Sequence, residues 1–189
     1  MTFVRTATFI VTILGFQAGS TAQPKPAAWL DEAKPASWNK PGLPIPSAPK
    51  VDEPVDPRCR EQARPPQLTE DRLVRDRGWD LIGAFEGGWD VVVIQGTAGY
   101  DGMCRPRRYQ AFVFVRGEFA GTLSPQPMES RTDGALDRIF LGGRTQLTAQ
   151  YRRYSPSDAL CCPSKTTSVE FAISSAPALV TPTSASTYK

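Results

Sequence analysis

Gln110–Leu123 reads QAFVFVRGEFAGTL, and its pattern decides the fold. Six residues rich in aromatic and β-branched side chains run to Val115, Arg116-Gly117 interrupts them, and an aromatic run resumes at Glu118. Such residues suit a pleated, buried surface, and a two-residue break containing glycine between them marks a tight hairpin. The same pattern extends outward in both directions. Trp79–Phe85, Trp89–Gln95, Ala135–Leu141, Gln146–Tyr154 and Ser168–Ser174 are short runs of the same kind, with Glu86-Gly87-Gly88 and Gly142-Gly143-Arg144 as further hairpin links. Upstream, Leu68-Thr69-Glu70-Asp71 and the following RLVRDRGW predict a short helix, with Thr69 as N-cap and Gly78 as terminator. The expected fold is mainly β (α+β), an antiparallel meander sheet or small barrel with one N-terminal helix, stabilised by disulfides.

Composition sets the limits around this unit. The chain has 189 residues, 22 Lys+Arg against 19 Asp+Glu, and no histidine. A net charge of +3 gives no bulk attraction to nucleic acid, so no nucleic-acid partner is expected. Without histidine there is no Ser-His-Asp or Cys-His pair and no imidazole-ligated metal, and no cofactor or metal site is expected. Residues 1–22 read as a signal peptide, with Arg5, the apolar run from Ala7 to Phe16 and the small residues Ser20-Thr21-Ala22. The run is too short for a stable membrane span. Cleavage after Ala22 and a periplasmic or secreted mature protein are expected.

Half of the 18 prolines fall between Gln23 and Pro57, so residues 23–58 read as a Pro-rich linker. Trp29 and Trp38 within it either fold back on the domain, stay exposed, or dock a partner. Residues 59–175 form the expected globular mostly-β domain, and 176–189 a disordered tail.

Four cysteines in an exported chain argue for two disulfides, with three possible pairings. Adjacent Cα atoms lie ~3.8 Å apart, short for a disulfide, so Cys161 and Cys162 are each expected to take a partner from Cys59 and Cys104. Asp101-Gly102-Met103-Cys104-Arg105-Pro106 and Asp158-Ala159-Leu160-Cys161-Cys162-Pro163 echo each other as D-x-apolar-C-x-P. Side-by-side turns would pair Cys104 with Cys161 and Cys59 with Cys162.

The stretches YDGMCRPRRYQAFVFVRGEFAGTLSPQPMESRTDGAL and YRRYSPSDALCCPS resemble the LppP/LprE lipoprotein family of exported bacterial proteins. The resemblance runs from Trp79 to Ile173 and implies an envelope location and a small mixed domain, with no defined activity. The sequence departs from the family in lacking a lipidated cysteine after its signal.

Candidate binding residues lie in two places. The loop Ser124–Gly134 offers Met128, Arg131 and Asp133, since long links inside a domain often carry binding residues. Arg105, Arg107 and Arg108, with Arg116, Arg152 and Arg153, could form a basic patch for an anionic glycan or could simply be solvated edge charges. The expected function is a non-catalytic binding module for an unknown envelope component, glycan or protein. The alternatives are a His-independent glycan hydrolase using paired carboxylates, Asp101 with Asp158 or Asp133 with Asp137, or a protein inhibitor of a lytic enzyme acting through the Met128 loop. Ser164-Lys165 also invites a serine-lysine reading, though sequence neighbours seldom meet as nucleophile and base.

Overall fold

A computed structural model describes residues 27–51, 55–159 and 161–189; the expected signal peptide lies outside the described residues. The hairpin read at Gln110–Leu123 is present as β5 (Gln110–Val115) and β6 (Glu118–Thr122), with Arg116 and Gly117 both at positive φ in the turn. β1 (Asp80–Gly88) and β2 (Val91–Thr97) precede them, and the order β1-β2-β5-β6 makes one antiparallel sheet. A small flap, β3 (Gly99–Tyr100) with β4 (Pro106–Arg107), is inserted between β2 and β5. The second sheet is β7 (Ala135–Leu141), β8 (Gln146–Arg153), β9 (Lys165–Ser175) and β10 (Ala178–Tyr188), again a meander with every neighbour antiparallel. The sheets are separate in their hydrogen bonding, so the meander holds and the small barrel does not.

β5 explains why one sheet needs cover on two sides. Ala111, Val113 and Val115 face the second sheet and join Val91, Val93, Leu147, Ala149, Val169 and Phe171 in the inter-sheet core. Phe112 and Phe114 point the other way, into a smaller core with Trp79, Leu81, Ile94 and Val74. A strand buried on both faces reads as a continuous apolar run, which is what Ala111-Phe112-Val113-Phe114-Val115 supplies. Val74 belongs to the helix α2 (Thr69–Arg75), which therefore covers the outer face of the first sheet.

Four expectations need correction. The helix begins after Leu68, and the capping acceptor is Asp71 in its first turn, whose carboxylate takes the N–H groups of Gln67 and Leu68 and both arms of Arg64 at 2.6 and 2.8 Å. A carboxylate that reaches back satisfies more orphan donors than the Thr69 hydroxyl could. The first hairpin turns at Trp89-Asp90, both left-handed, with Gly87 and Gly88 inside β1; consecutive left-handed residues match the twist of the flanking strands.

The third correction concerns the ends of the chain. The supposed tail is β10, paired along its length with β9. The supposed linker packs as a strap. A 3₁₀ turn at Ala28–Asp31 buries Trp29 and Leu30; Trp29 meets Trp38 and Tyr151 edge-on at 5.0 and 5.6 Å, and Trp38 meets Phe171 at 6.2 Å. Further on, Pro46 accepts from the Trp79 indole at 2.8 Å and Ile45 and Ala48 join the outer core. Proline prevents helix and sheet ladders but not packing, and these aromatic and aliphatic anchors hold the strap down.

The last correction is the cysteine pairing. Cys59 bonds Cys104, with Cα atoms 4.9 Å apart, and Cys161 bonds its neighbour Cys162. The helical turn α1 (Pro57–Arg60), capped by Asp56, buries Cys59 against the 101–105 turn, where its sulfur also lies 3.9 Å from the Asp101 carbonyl. Cys104 is thereby claimed from the strap side, and the two echoing turns, which both contribute to the lining of one cleft, are not joined by a disulfide.

Candidate functional site

The cleft opens where β1 and β7 approach. Its first part, about 180 Å³, is walled by Ile82, Gln95, Tyr109, Leu136, Tyr154 and Pro163, with Arg105 among them. A second hollow of about 230 Å³ lies beside it, with Asp101, Arg107, Glu129 and Arg131 in its walls. The two share Pro106 and Ser130, whose hydroxyl donates to the Pro106 carbonyl at 2.5 Å.

Local turns fix the charged groups. Asp101 accepts the N–H groups of Met103 and Arg105 at 2.9 Å each and pairs with the Arg105 guanidinium at 2.7 Å. Partial burial would raise its pKa, but these donors outweigh that and hold it below the ordinary carboxylate range. Arg105 thus spends its Nε on Asp101, while its Nη1 is buried with no hydrogen-bond partner. Arg107 and Arg108 both approach Glu129, at 3.3 and 3.9 Å, and Arg108 also donates to the Lys50 carbonyl. The Arg131 guanidinium carbon sits over the Tyr154 ring, 3.6 Å from its centroid, a contact worth about 0.5–2 kcal/mol.

Of the residues singled out from sequence, Arg105, Arg107 and Arg131 come together here. Met128 does not take part: it is fully buried, exchanges backbone hydrogen bonds with Tyr109, and packs in the inter-sheet core. Asp133 is also buried, its carboxylate accepting the Glu129 N–H at 2.9 Å, so it closes the loop and presents nothing outward. Arg152 and Arg153 are engaged elsewhere, Arg152 with the Pro163 carbonyl and Arg153 with Asp31 at 2.7 Å. Tyr154, Ser130 and Pro163 were not anticipated as wall residues. The tyrosine ending the YRRY run was the available signal, because an aromatic at a strand end beside a loop is placed to stack on whatever the loop carries.

The carboxylates named for acid–base chemistry serve turns. Asp158 accepts the N–H groups of Ser155 and Ser164, and these bonds hold its pKa low. With Asp101 lowered as well, both members of that pair are held ionised, and general acid catalysis needs one of them protonated. Asp137 is exposed beside Arg138, whereas Asp133 is enclosed in its loop. Ser164 shares a hydrogen bond with Ser155 at 3.0 Å. The buried phenols are equally committed: Tyr109 donates to the Gly134 carbonyl at 2.5 Å, and burial pushes its pKa far up. Among the described residues, no group of three or more Cys, Asp and Glu side chains could hold a metal ion.

The cleft walls, apart from Ile82, come from one continuous part of the chain. Residues 88–176 match the model of the LppP/LprE lipoprotein family. That LppP/LprE segment takes in β2 to β9 and leaves out the strap, α2, most of β1 and β10. The match fits an extracytoplasmic, envelope lipoprotein-like protein. Among the described residues, no helix is long and apolar enough to cross a membrane. No curated protein and no solved structure matches the chain.

Proposed function

We propose that the protein is a non-catalytic binding module of the cell envelope, and that its LppP/LprE cleft holds an anionic group, a phosphate or carboxylate, of an envelope component. The observation that carries this reading is the buried, unpartnered Nη1 of Arg105 in the cleft wall. A buried donor without a partner costs about 1–3 kcal/mol, and an incoming anion would remove that cost. Arg131, kept extended by Tyr154, stands across the shared Pro106–Ser130 wall as a second cation. Arg105, Arg107 and Arg131 line the cleft against Asp101 and Glu129, so a modest local field favours an anion although the chain as a whole is nearly neutral.

Calorimetric titration of the purified protein with glycerol 3-phosphate and with a galacturonate trimer tests the reading. At least one is expected to bind, more weakly as salt rises, and Arg105→Gln is expected to lower that affinity about tenfold through loss of one charge-assisted hydrogen bond. No binding of either probe, or binding indifferent to Arg105→Gln, overturns it. Export is part of the same proposal: protein isolated from its native host is expected to give an N-terminal sequence beginning at Gln23.

A further inference from the structure

Another hollow, of about 390 Å³, lies between the strap and β6 and shares no lining residue with the charged cleft. Trp38, Leu43 and Pro44 of the strap form one wall, and Phe119, Pro125 and Pro127 the other. Leu43 is 47% exposed, an apolar side chain left at the mouth although an aromatic and proline surface lies opposite. Gln110 also lines the hollow. It is 3% exposed, its Nε2 donates to the Ser124 carbonyl at 3.0 Å, and its Oε1 is buried without a hydrogen-bond partner. Every other strand residue pointing to this side of β5 is a phenylalanine in the outer core, so Oε1 has no polar neighbour along its own strand face. Buried acceptors are nearly always satisfied, and those that are not are commonly completed by a ligand or an ordered water.

We propose that this hollow is a binding site for a small, uncharged, largely apolar molecule carrying one hydroxyl or amide N–H, which donates to Gln110 Oε1. The chemistry of the walls selects the class. Most of the lining surface is apolar, and of the polar side chains beside it Lys40 is exposed while the Asn39 amide and Thr122 hydroxyl already donate to carbonyls, whereas Gln110 Oε1 is an unfilled acceptor and demands a donor. Size narrows it further: at roughly 30 Å³ per small group, the hollow takes about a dozen heavy atoms. This site is independent of the charged cleft, and part of its wall is the strap that lies outside the LppP/LprE segment.

The test uses decan-1-ol and decyl methyl ether, which match in length and differ in the donor, followed through tryptophan fluorescence because Trp38 is in the wall. Decan-1-ol is expected to bind with unit stoichiometry and about tenfold more tightly than the ether, the factor for one net hydrogen bond. Gln110→Met keeps the bulk and removes the acceptor, and is expected to bring the two probes within about twofold of each other. Leu43→Glu alters only an exposed side chain at the mouth and is expected to weaken both. Absence of decan-1-ol binding, equal binding of alcohol and ether to the unaltered protein, or indifference of both probes to Leu43→Glu overturns the proposal. If Gln110→Met fails to fold, the alcohol-to-ether ratio and Leu43→Glu still decide it.

Discussion

The two sheets meet at two junctions, and these are finished in opposite ways. At the β6–β10 junction two neighbouring strap side chains close the gap, the Trp38 indole donating to the Thr122 carbonyl at 3.0 Å and Asn39 bridging both strands. Asn39 donates from Nδ2 to the carbonyls of Thr122 and Val180, 2.9 Å each, and accepts the Thr122 N–H on Oδ1 at 2.9 Å, so one amide stands in for a missing ladder between the strand edges. Gly121 makes room for it, since a Cβ there would overlap the Asn39 side chain and its φ of +134° suits glycine alone. At the β1–β7 junction the Tyr109 hydroxyl ties the start of β7, donating to the Gly134 carbonyl and accepting the Leu136 N–H at 3.1 Å, but the cleft beside it stays open. There the flap and the 155–164 turn stand apart, each held by its own aspartate, and Arg105 keeps an unused donor between them. A junction whose facing strand edges are tied through one amide acts as structure there, and one that retains an unpaired guanidinium donor is where an anion has something to gain.

The largest perturbation should come from the covalent tie behind the open junction. Cys59→Ser with Cys104→Ser removes a crosslink spanning 45 residues, and the chain-entropy model gives a loss of about 4 kcal/mol. Urea unfolding of the double variant is expected to show that loss, and amide exchange is expected to rise in the 101–105 turn. An unchanged midpoint would mean that the flap is held by packing alone. At the closed junction, Asn39→Ala leaves the Val180 carbonyl and the Thr122 N–H unmatched while Trp38 still serves the Thr122 carbonyl, for an expected cost of about 2–4 kcal/mol. Gly121→Ala should reproduce much of this through overlap, and a stability equal to the parent protein's would show that the clamp adds nothing.

Acid separates the two junctions without mutation. Asp101 has a folded pKa below its unfolded value, so its contribution is fully present above the ordinary carboxylate range, near pH 4, and is lost as pH falls through the lowered value. Asp158 shifts in the same direction, and so does Asp71, where burial opposes the Arg64 and backbone donors but is outweighed. Asn39 does not titrate. Hydrogen exchange measured down a pH series below 4, corrected for intrinsic rates, is expected to deprotect the 101–105 and 155–164 turns before the β6–β10 seam. Simultaneous loss would refute the distinction. The smallest effect expected is that of Tyr154→Leu, which removes the platform under Arg131 for about 1 kcal/mol or less and lowers anion affinity at the cleft while sparing decan-1-ol binding.

The strands were legible because the core is built from them. Phe112, Val113, Phe114 and the alternation of Val169, Phe171 and Ile173 state their burial directly. β10 was hidden by Pro182, which argues against a central strand. The structure puts that proline on an edge strand, next to the register shift between Pro182 and Ser184, where a missing N–H costs no ladder bond. The inward positions Ala178, Val180 and Pro182 had the right period, but small side chains make a weak signal. The strap was hidden for a related reason. Its composition matches that of a solvated linker, and only Trp29, Leu30, Trp38 and Ile45 betray that it is anchored.

Of the site, the arginines were legible as a group, whereas which of them would meet was not, since that depends on how the flap folds across β2 and β5. The cysteine echo misled because similar turns need not be neighbours: each is closed by its own aspartate and requires no contact with the other. Met128 illustrates the opposite error, a loop residue that belongs to the core because the loop pairs back on Tyr109.

The Asn39 clamp bears on how the protein can be handled. A recombinant fragment starting at Cys59 would keep every strand yet bare the neighbouring margins of β6 and β10, each a template for a foreign chain. Such a fragment is expected to self-associate, and adding residues 27–51 back as a separate peptide should dissolve the aggregates if the amide of Asn39 is intact.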